Sequence, residues 1–163
     1  MVDAARPGTG ALRLVCFELR GQELAMPIGD VRETLPVHPI TRLFLSPACL
    51  AGVFSLRGEI VAVIDLGVLL GLGRTEVGDD SRIVVVEHQD GTAGIVVDRL
   101  RDLRTLDAPL DPPPTNLPAM VAHLLVGVAV TATGTVRVLD AHAILTAEPL
   151  RAIAGISDEG RPS

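Results

Sequence analysis

The chain has 163 residues, 48% hydrophobic and 21% charged, which suits one domain with a substantial core and excludes a disordered polymer. A net charge of −6, with no Trp, no Tyr and three Phe, argues against nucleic acid as the main partner, because phosphate neutralisation needs a basic surface and base stacking needs aromatic rings. All fourteen basic residues are Arg, and the core has to be built from Val, Leu, Ile and Ala.

Residues 1–10 are polar and Gly/Pro-rich and are expected to be disordered; they carry Asp3 and Arg6 and lead into no apolar run, so no signal peptide is expected. Residues 12–19 alternate, pass through Arg20-Gly21-Gln22 and return over 23–27 as a hairpin. Ser46-Pro47-Ala48-Cys49-Leu50-Ala51-Gly52 predicts a short helix, with Ser as N-cap, Pro at the first helical position and Gly at the exit. Residues 53–56 and 59–64 form a second hairpin around Arg57-Gly58, and a short helix is expected from Asp65. A third hairpin spans 83–87 and 92–97 around Gln89-Asp90-Gly91, and a fourth spans 125–130 and 135–139 around Thr133-Gly134. The Pro-rich stretch 109–118 between them reads as a connector, and Asp140 opens another short helix. Residues 151–163 read as a C-terminal tail. The longest apolar stretches, 60–64 and 124–130, fall far short of a membrane span. Cys16 and Cys49 are too few for a disulfide framework and read as reduced core thiols of a cytoplasmic protein.

A hidden repeat organises these elements. Residues 61–70 line up with 136–145 at a spacing of 75, and Gly52-Val53 lines up with Gly127-Val128 at the same spacing. Arg13-Leu14-Val15 matches Arg82-Ile83-Val84, and Val31-Arg32-Glu33 matches Leu100-Arg101-Asp102, both 69 residues apart. Each copy yields about five strands and a short capped helix, so two similar β modules packed together are expected.

Asp65 and Asp140 stand at matching points of this duplicated β fold, which is the layout of an aspartic-protease dyad sharing one proton. The triplets Asp65-Leu66-Gly67 and Asp140-Ala141-His142 lack the hydroxyl that usually follows such an Asp, and a helix N-cap accounts for both residues more simply. His38, His88, His123 and His142 are scattered, with no partner at metal-ligand spacing, and no nucleophile motif or phosphate loop is present, so no catalytic residue, metal or cofactor is expected. Arg57 sits at the tip of a tight turn between apolar strands. It reads equally as an exposed turn residue or as an interface anchor, a role that falls to Arg in a chain without Trp or Tyr.

The run from Gly52 to Leu66, Gly-Val-Phe-Ser-Leu-Arg-Gly-Glu-Ile-Val-Ala-Val-Ile-Asp-Leu, resembles the signature of the CheW family, the coupling proteins of chemotaxis-type arrays. Val31-Arg32-Glu33 and Gly94-Ile95-Val96-Val97-Asp98 resemble two further segments of that family, and Ser55, Ala62 and Gly67 depart from its usual Asn, Pro and Arg. The resemblance covers roughly residues 12–145. It implies an all-β fold with a few short helices: two five-stranded SH3-like barrels packed around a shared core, forming a single CheW-like domain over residues 11–150. It further implies a stand-alone, non-enzymatic adaptor that joins the cytoplasmic tip of chemoreceptors to the regulatory domain of a CheA-type histidine kinase. Such an adaptor is cytoplasmic and reaches receptor arrays through its partners, without direct membrane insertion. By the same resemblance Val31, Glu33, Leu56, Arg57 and Gly58 face the receptor, with Leu56 and Val31 as the apolar part of the patch, and Gly52 and Gly127 lie near kinase-facing surfaces. The competing possibility is a duplicated-barrel aspartic hydrolase using Asp65 and Asp140.

Overall fold

Ten strands and three short helices follow one another in a computed structural model that describes residues 11–147 apart from residues 90 and 133. The expected disordered N-terminus, the C-terminal tail and the last three residues of the expected 11–150 domain lie outside the described residues. The first half holds β1 (Leu12–Leu19), β2 (Gln22–Pro27), β3 (Val31–Pro36), β4 (Leu50–Leu56), β5 (Glu59–Ile64) and helix α1 (Leu66–Leu69). The second holds β6 (Arg82–His88), β7 (Gly91–Val97), β8 (Arg99–Leu106), helix α2 (Ala119–His123), β9 (Leu125–Thr131), β10 (Gly134–Leu139) and helix α3 (Ala141–Leu145).

All four expected hairpins form, each with two residues between paired strand ends: Leu19–Gln22, Leu56–Glu59, His88–Gly91 and Thr131–Gly134. Arg20-Gly21 and Arg57-Gly58 have both residues at positive φ (52° and 78°; 50° and 88°), the turn whose twist matches that of the strands it joins. Gly91 and Gly134 are therefore the first strand residues after their turns rather than turn residues.

The strands form two five-stranded sheets, ordered β8-β1-β2-β10-β9 (sheet I) and β3-β6-β7-β5-β4 (sheet II). Exchanging β1–β5 for β6–β10 turns one order into the other, so the sequence repeat is present as a pseudo-two-fold relation between the sheets. Each sheet takes strands from both copies. The β1–β2 hairpin leaves its own copy to join β8, β10 and β9, and the β6–β7 hairpin sits between β3 and β5. The joins are the parallel pairs β2–β10 and β5–β7, short ladders between otherwise antiparallel neighbours.

This interleaving explains the unbroken apolar run at 83–86. Val84 and Val86 enter the central core with Phe17, Leu24, Met26, Ile64 and Leu139, while Ile83 and Val85 enter a second core with Phe54, Val61 and Val63. A strand covered on both faces needs no polar alternation. A third cluster, including Leu14, Cys16, Val136 and Val138, backs sheet I. Each such side chain taken fully out of water contributes roughly 1.5–3 kcal/mol.

The helix expected over 46–52 does not form. Leu50, Gly52, Phe54 and Leu56 alternate inward as strand β4, and the preceding residues make one turn closed by the Leu50 N–H on the Pro47 carbonyl (3.0 Å). Ser46 does not cap that turn; its Oγ donates to the Leu43 carbonyl at 3.1 Å. Ladder pairing with β5 satisfies the backbone that a helix would have satisfied, and the tertiary partner overrides the local capping signal. A helix does form in the second copy, as α2 directly after Pro118, with Val121 packed into the central core.

Candidate functional site

The surface feature with the most organised chemistry is built from the two edges of sheet II. Arg57 occupies the first turn position between β4 and β5, where its φ of +50° lifts the side chain off the ladder and leaves it 63% exposed. Its guanidinium donates to a carboxylate oxygen of Glu33 on β3, the strand at the opposite edge of the same sheet. Sheet II therefore curls far enough for its first and last strands to meet through side chains. Arg32, beside Glu33, adds longer ionic contacts to Glu59 (3.6 Å), Glu87 (3.9 Å) and Glu33 itself (4.0 Å). Exposed pairs of this kind contribute only about 0–1 kcal/mol each, so their value lies in fixing the direction of the Arg57 fork.

Of the residues expected on this surface, the structure brings Glu33 and Arg57 together and leaves Gly58 exposed at the turn. The apolar part requires correction. Leu56 is 5% exposed and points into the core with Leu35, Phe54 and Val61, because β4 alternates and Leu56 has the inward parity of Phe54. Val31 is half-buried and packs against the central core. The exposed apolar side chain here is Ile60, 71% exposed and paired with Ser55 just beyond the turn. Its signal was present in the sequence, since it stands one residue out of step with the inward Val61 and Val63.

Gly52 and Gly127 occupy matching places on β4 and β9, the edge strands of the two sheets, and both are buried. The chain leaving β3 crosses to β4 at a single bridge, Thr41–Val53, and the chain leaving β8 crosses to β9 at Asp111–Val128. A Cβ on Gly52 would stand 2.3 Å from the Thr41 carbonyl oxygen, and one on Gly127 would stand 2.6 Å from that of Asp111. The glycines thus permit a close backbone crossing, and neither offers a surface of its own.

Asp65 and Asp140 are N-caps of α1 and α3, accepting from Val68 N–H (3.2 Å) and Ala143 N–H (3.0 Å). Asp65 also accepts from the N–H and the hydroxyl of Thr75, the latter at 2.8 Å. Each carboxylate is committed to its own helix start, with no hydrogen bond between the two, which is no geometry for a shared-proton dyad. Cys16 and Cys49 are free and buried. Burial pushes the Cys16 thiol from its ordinary value near 9 up to about 11 and raises that of Cys49 too, so neither is a ready nucleophile. Among the described residues no group of three or more His, Cys, Asp or Glu is placed to hold a metal ion, and no helix is long and apolar enough to cross a membrane.

The family model of the CheW-like domain matches residues 13–148. The chain belongs to the CheW-like family. It is 34% identical over 107 residues to the chemotaxis protein CheW of Helicobacter pylori, an alignment covering 65% of each chain. It is 28% identical over 149 residues to CheW of Treponema pallidum, covering 88% of each, and 33% identical over 111 residues to protein FrzA of Myxococcus xanthus, covering 68% of this chain and 69% of that one. The crystal structure of the scaffolding protein TtCheW from Thermoanaerobacter tengcongensis is similar with a TM-score of 0.75 and 29% identity, over 82% of this chain and 87% of that one. CheW-like proteins are chemotaxis coupling adaptors and not enzymes, so the adaptor reading of the sequence holds and the hydrolase reading falls.

Proposed function

We propose that the chain couples the cytoplasmic tip of chemoreceptors to the regulatory domain of a CheA-type histidine kinase, in the cytoplasm and within a receptor array. The observation that carries the receptor side is the Arg57 guanidinium, held across the edges of sheet II by Glu33 and standing out from a rigid two-residue turn. A pre-oriented, exposed Arg is the kind of group that anchors an interface, and Gly58 and Ile60 supply the flat and apolar ground around it. Val31 and Leu56 serve this surface from below, by packing under β3 and the turn. On the kinase side, Gly52 and Gly127 act by letting the 37–48 and 107–118 connectors lie close over β4 and β9, so the contacting groups belong to those connectors.

The test is Arg57→Ala. Receptor-tip binding weakens by roughly 1–3 kcal/mol, with the melting temperature and kinase-domain binding nearly unchanged. Equal loss of both partners, or an unfolded variant, would make Arg57 structural and remove the receptor from this surface.

A further inference from the structure

Away from the Glu33–Arg57 pair, the connector between β3 and β4 exposes the most apolar side chain in the described molecule. Phe44 is 98% and Leu45 100% exposed, and Leu43 beside them is also exposed. Scattered surface leucines are ordinary, but three consecutive large apolar residues at one tip are not. The tip has defined geometry: Ser46 Oγ donates to the Leu43 carbonyl, and Leu45 holds a φ of +56°, a left-handed conformation uncommon for a residue with a side chain.

Beside this tip opens a groove of 510 Å³, with Ile40, Leu45, Leu50, Val77 and Val96 among its apolar lining. Two exposed arginines, Arg42 and Arg74, also line it. Neither has an ion-pair partner among the described residues, in contrast to Arg57 of the other surface, which Glu33 holds. The carboxylate in the groove wall, Asp65, is buried and engaged by Thr75 and by the start of α1. That engagement also pins the 73–75 segment over Gly67, where a Cβ would stand 2.3 Å from the Gly73 carbonyl oxygen, so the Arg74 side of the groove is anchored.

We infer that this groove docks an acidic, amphipathic segment of a partner protein: a large apolar side chain seated against Ile40 and Val77, with flanking carboxylates on Arg42 and Arg74. Charge decides between occupants. A neutral apolar segment leaves both arginines without a counter-charge, and a second copy related by a two-fold axis brings the same pair of arginines to the contact from each side. The groove adjoins the crossing at Gly52, so only the identity of the partner, a kinase domain, rests on the function proposed above.

The test uses the full chain labelled with nitrogen-15 and two twelve-residue peptides, one alternating Leu and Phe with Glu and the other carrying Lys in place of every Glu. The Glu peptide is expected to shift the amides of 42–46 and 74–77 with a dissociation constant below about 1 mM, leaving Glu33 and Arg57 unmoved, and to bind about tenfold more tightly than the Lys peptide. Arg42→Ser with Arg74→Ser abolishes that preference, while an unchanged amide spectrum elsewhere shows the fold intact. Three results overturn the inference: no shift with either peptide, equal affinity for both, or shifts at these residues that follow protein concentration without peptide, which would assign the groove to a second copy. Kinase-domain affinity measured on the same double variant tests the earlier reading separately, since it can stay unchanged while peptide docking is lost.

Discussion

The two copies of the repeat share a strand order, a pair of buried glycines and a pair of capping aspartates, and they diverge where the chain meets solvent. Before β9 the second copy folds into α2 and sinks Val121 and Leu124 into the central core. The corresponding stretch before β4 stays a loop, sends Cys49 inward and leaves Phe44 and Leu45 outside. Asp65 accepts hydrogen bonds from Val68 and Thr75, whereas Asp140 accepts one, from Ala143. Arg57-Gly58 forms the first copy's β4–β5 turn, and the equivalent β9–β10 turn carries no Arg. The glycines and capping aspartates that repeat carry packing and helix starts, whereas the surfaces depend on what does not repeat: Glu33 has a counterpart in Asp102 but its partner Arg57 has none, and the exposed Phe44-Leu45 tip is replaced by α2.

That contrast can be broken most forcefully at the shared glycines. Gly52→Ala is expected to cost about 3 kcal/mol and Gly127→Ala about 2 kcal/mol in urea unfolding, because overpacking costs about 1–3 kcal/mol and Gly52 also has a φ of +151° that an L side chain resists. A negligible loss at Gly127 would mean that the two crossings are not equivalent. At the caps, Asp65→Ala is expected to cost about 2 kcal/mol and Asp140→Ala about 1 kcal/mol, in proportion to the donors each leaves unpaired. Equal losses would show that the Thr75 contacts add nothing. The smallest effect is one of pH. Cys16 has its folded pKa raised from about 9 to about 11, so the unfolded chain ionises first. Stability from this group is full below pH 9 and falls as pH rises towards 11, and Cys16→Ala should flatten that part of the profile in a pH series of denaturant midpoints.

Much of the frame was legible in the chain. The matched runs 61–70 and 136–145, each a strand ending in Asp and a short helix, revealed the duplication, and the two-residue turns revealed the hairpins. The exchange of hairpins between the sheets was not legible, because a repeat shows which strands are equivalent and not which ones pair. Ser46-Pro47 misled because a local capping signal was weighed without the inward alternation of Leu50, Gly52, Phe54 and Leu56. The same alternation, followed one step further, places Leu56 inside and Ser55 and Arg57 outside, so the burial of Leu56 was legible in the chain. The Glu33–Arg57 pair was reached through family resemblance. Residues 24 apart on opposite edges of a sheet meet only once the curl of that sheet is known.

In the proposed function, Glu33 acts on the receptor through Arg57, by holding its guanidinium in place. A double-mutant cycle of Glu33→Ala and Arg57→Ala, read as receptor-tip affinity by calorimetry, tests it most directly. Arg57→Ala is expected to carry the full loss and Glu33→Ala a smaller one, with the double variant binding no worse than Arg57→Ala alone. Additive losses would contradict it, because each residue would then meet the receptor independently.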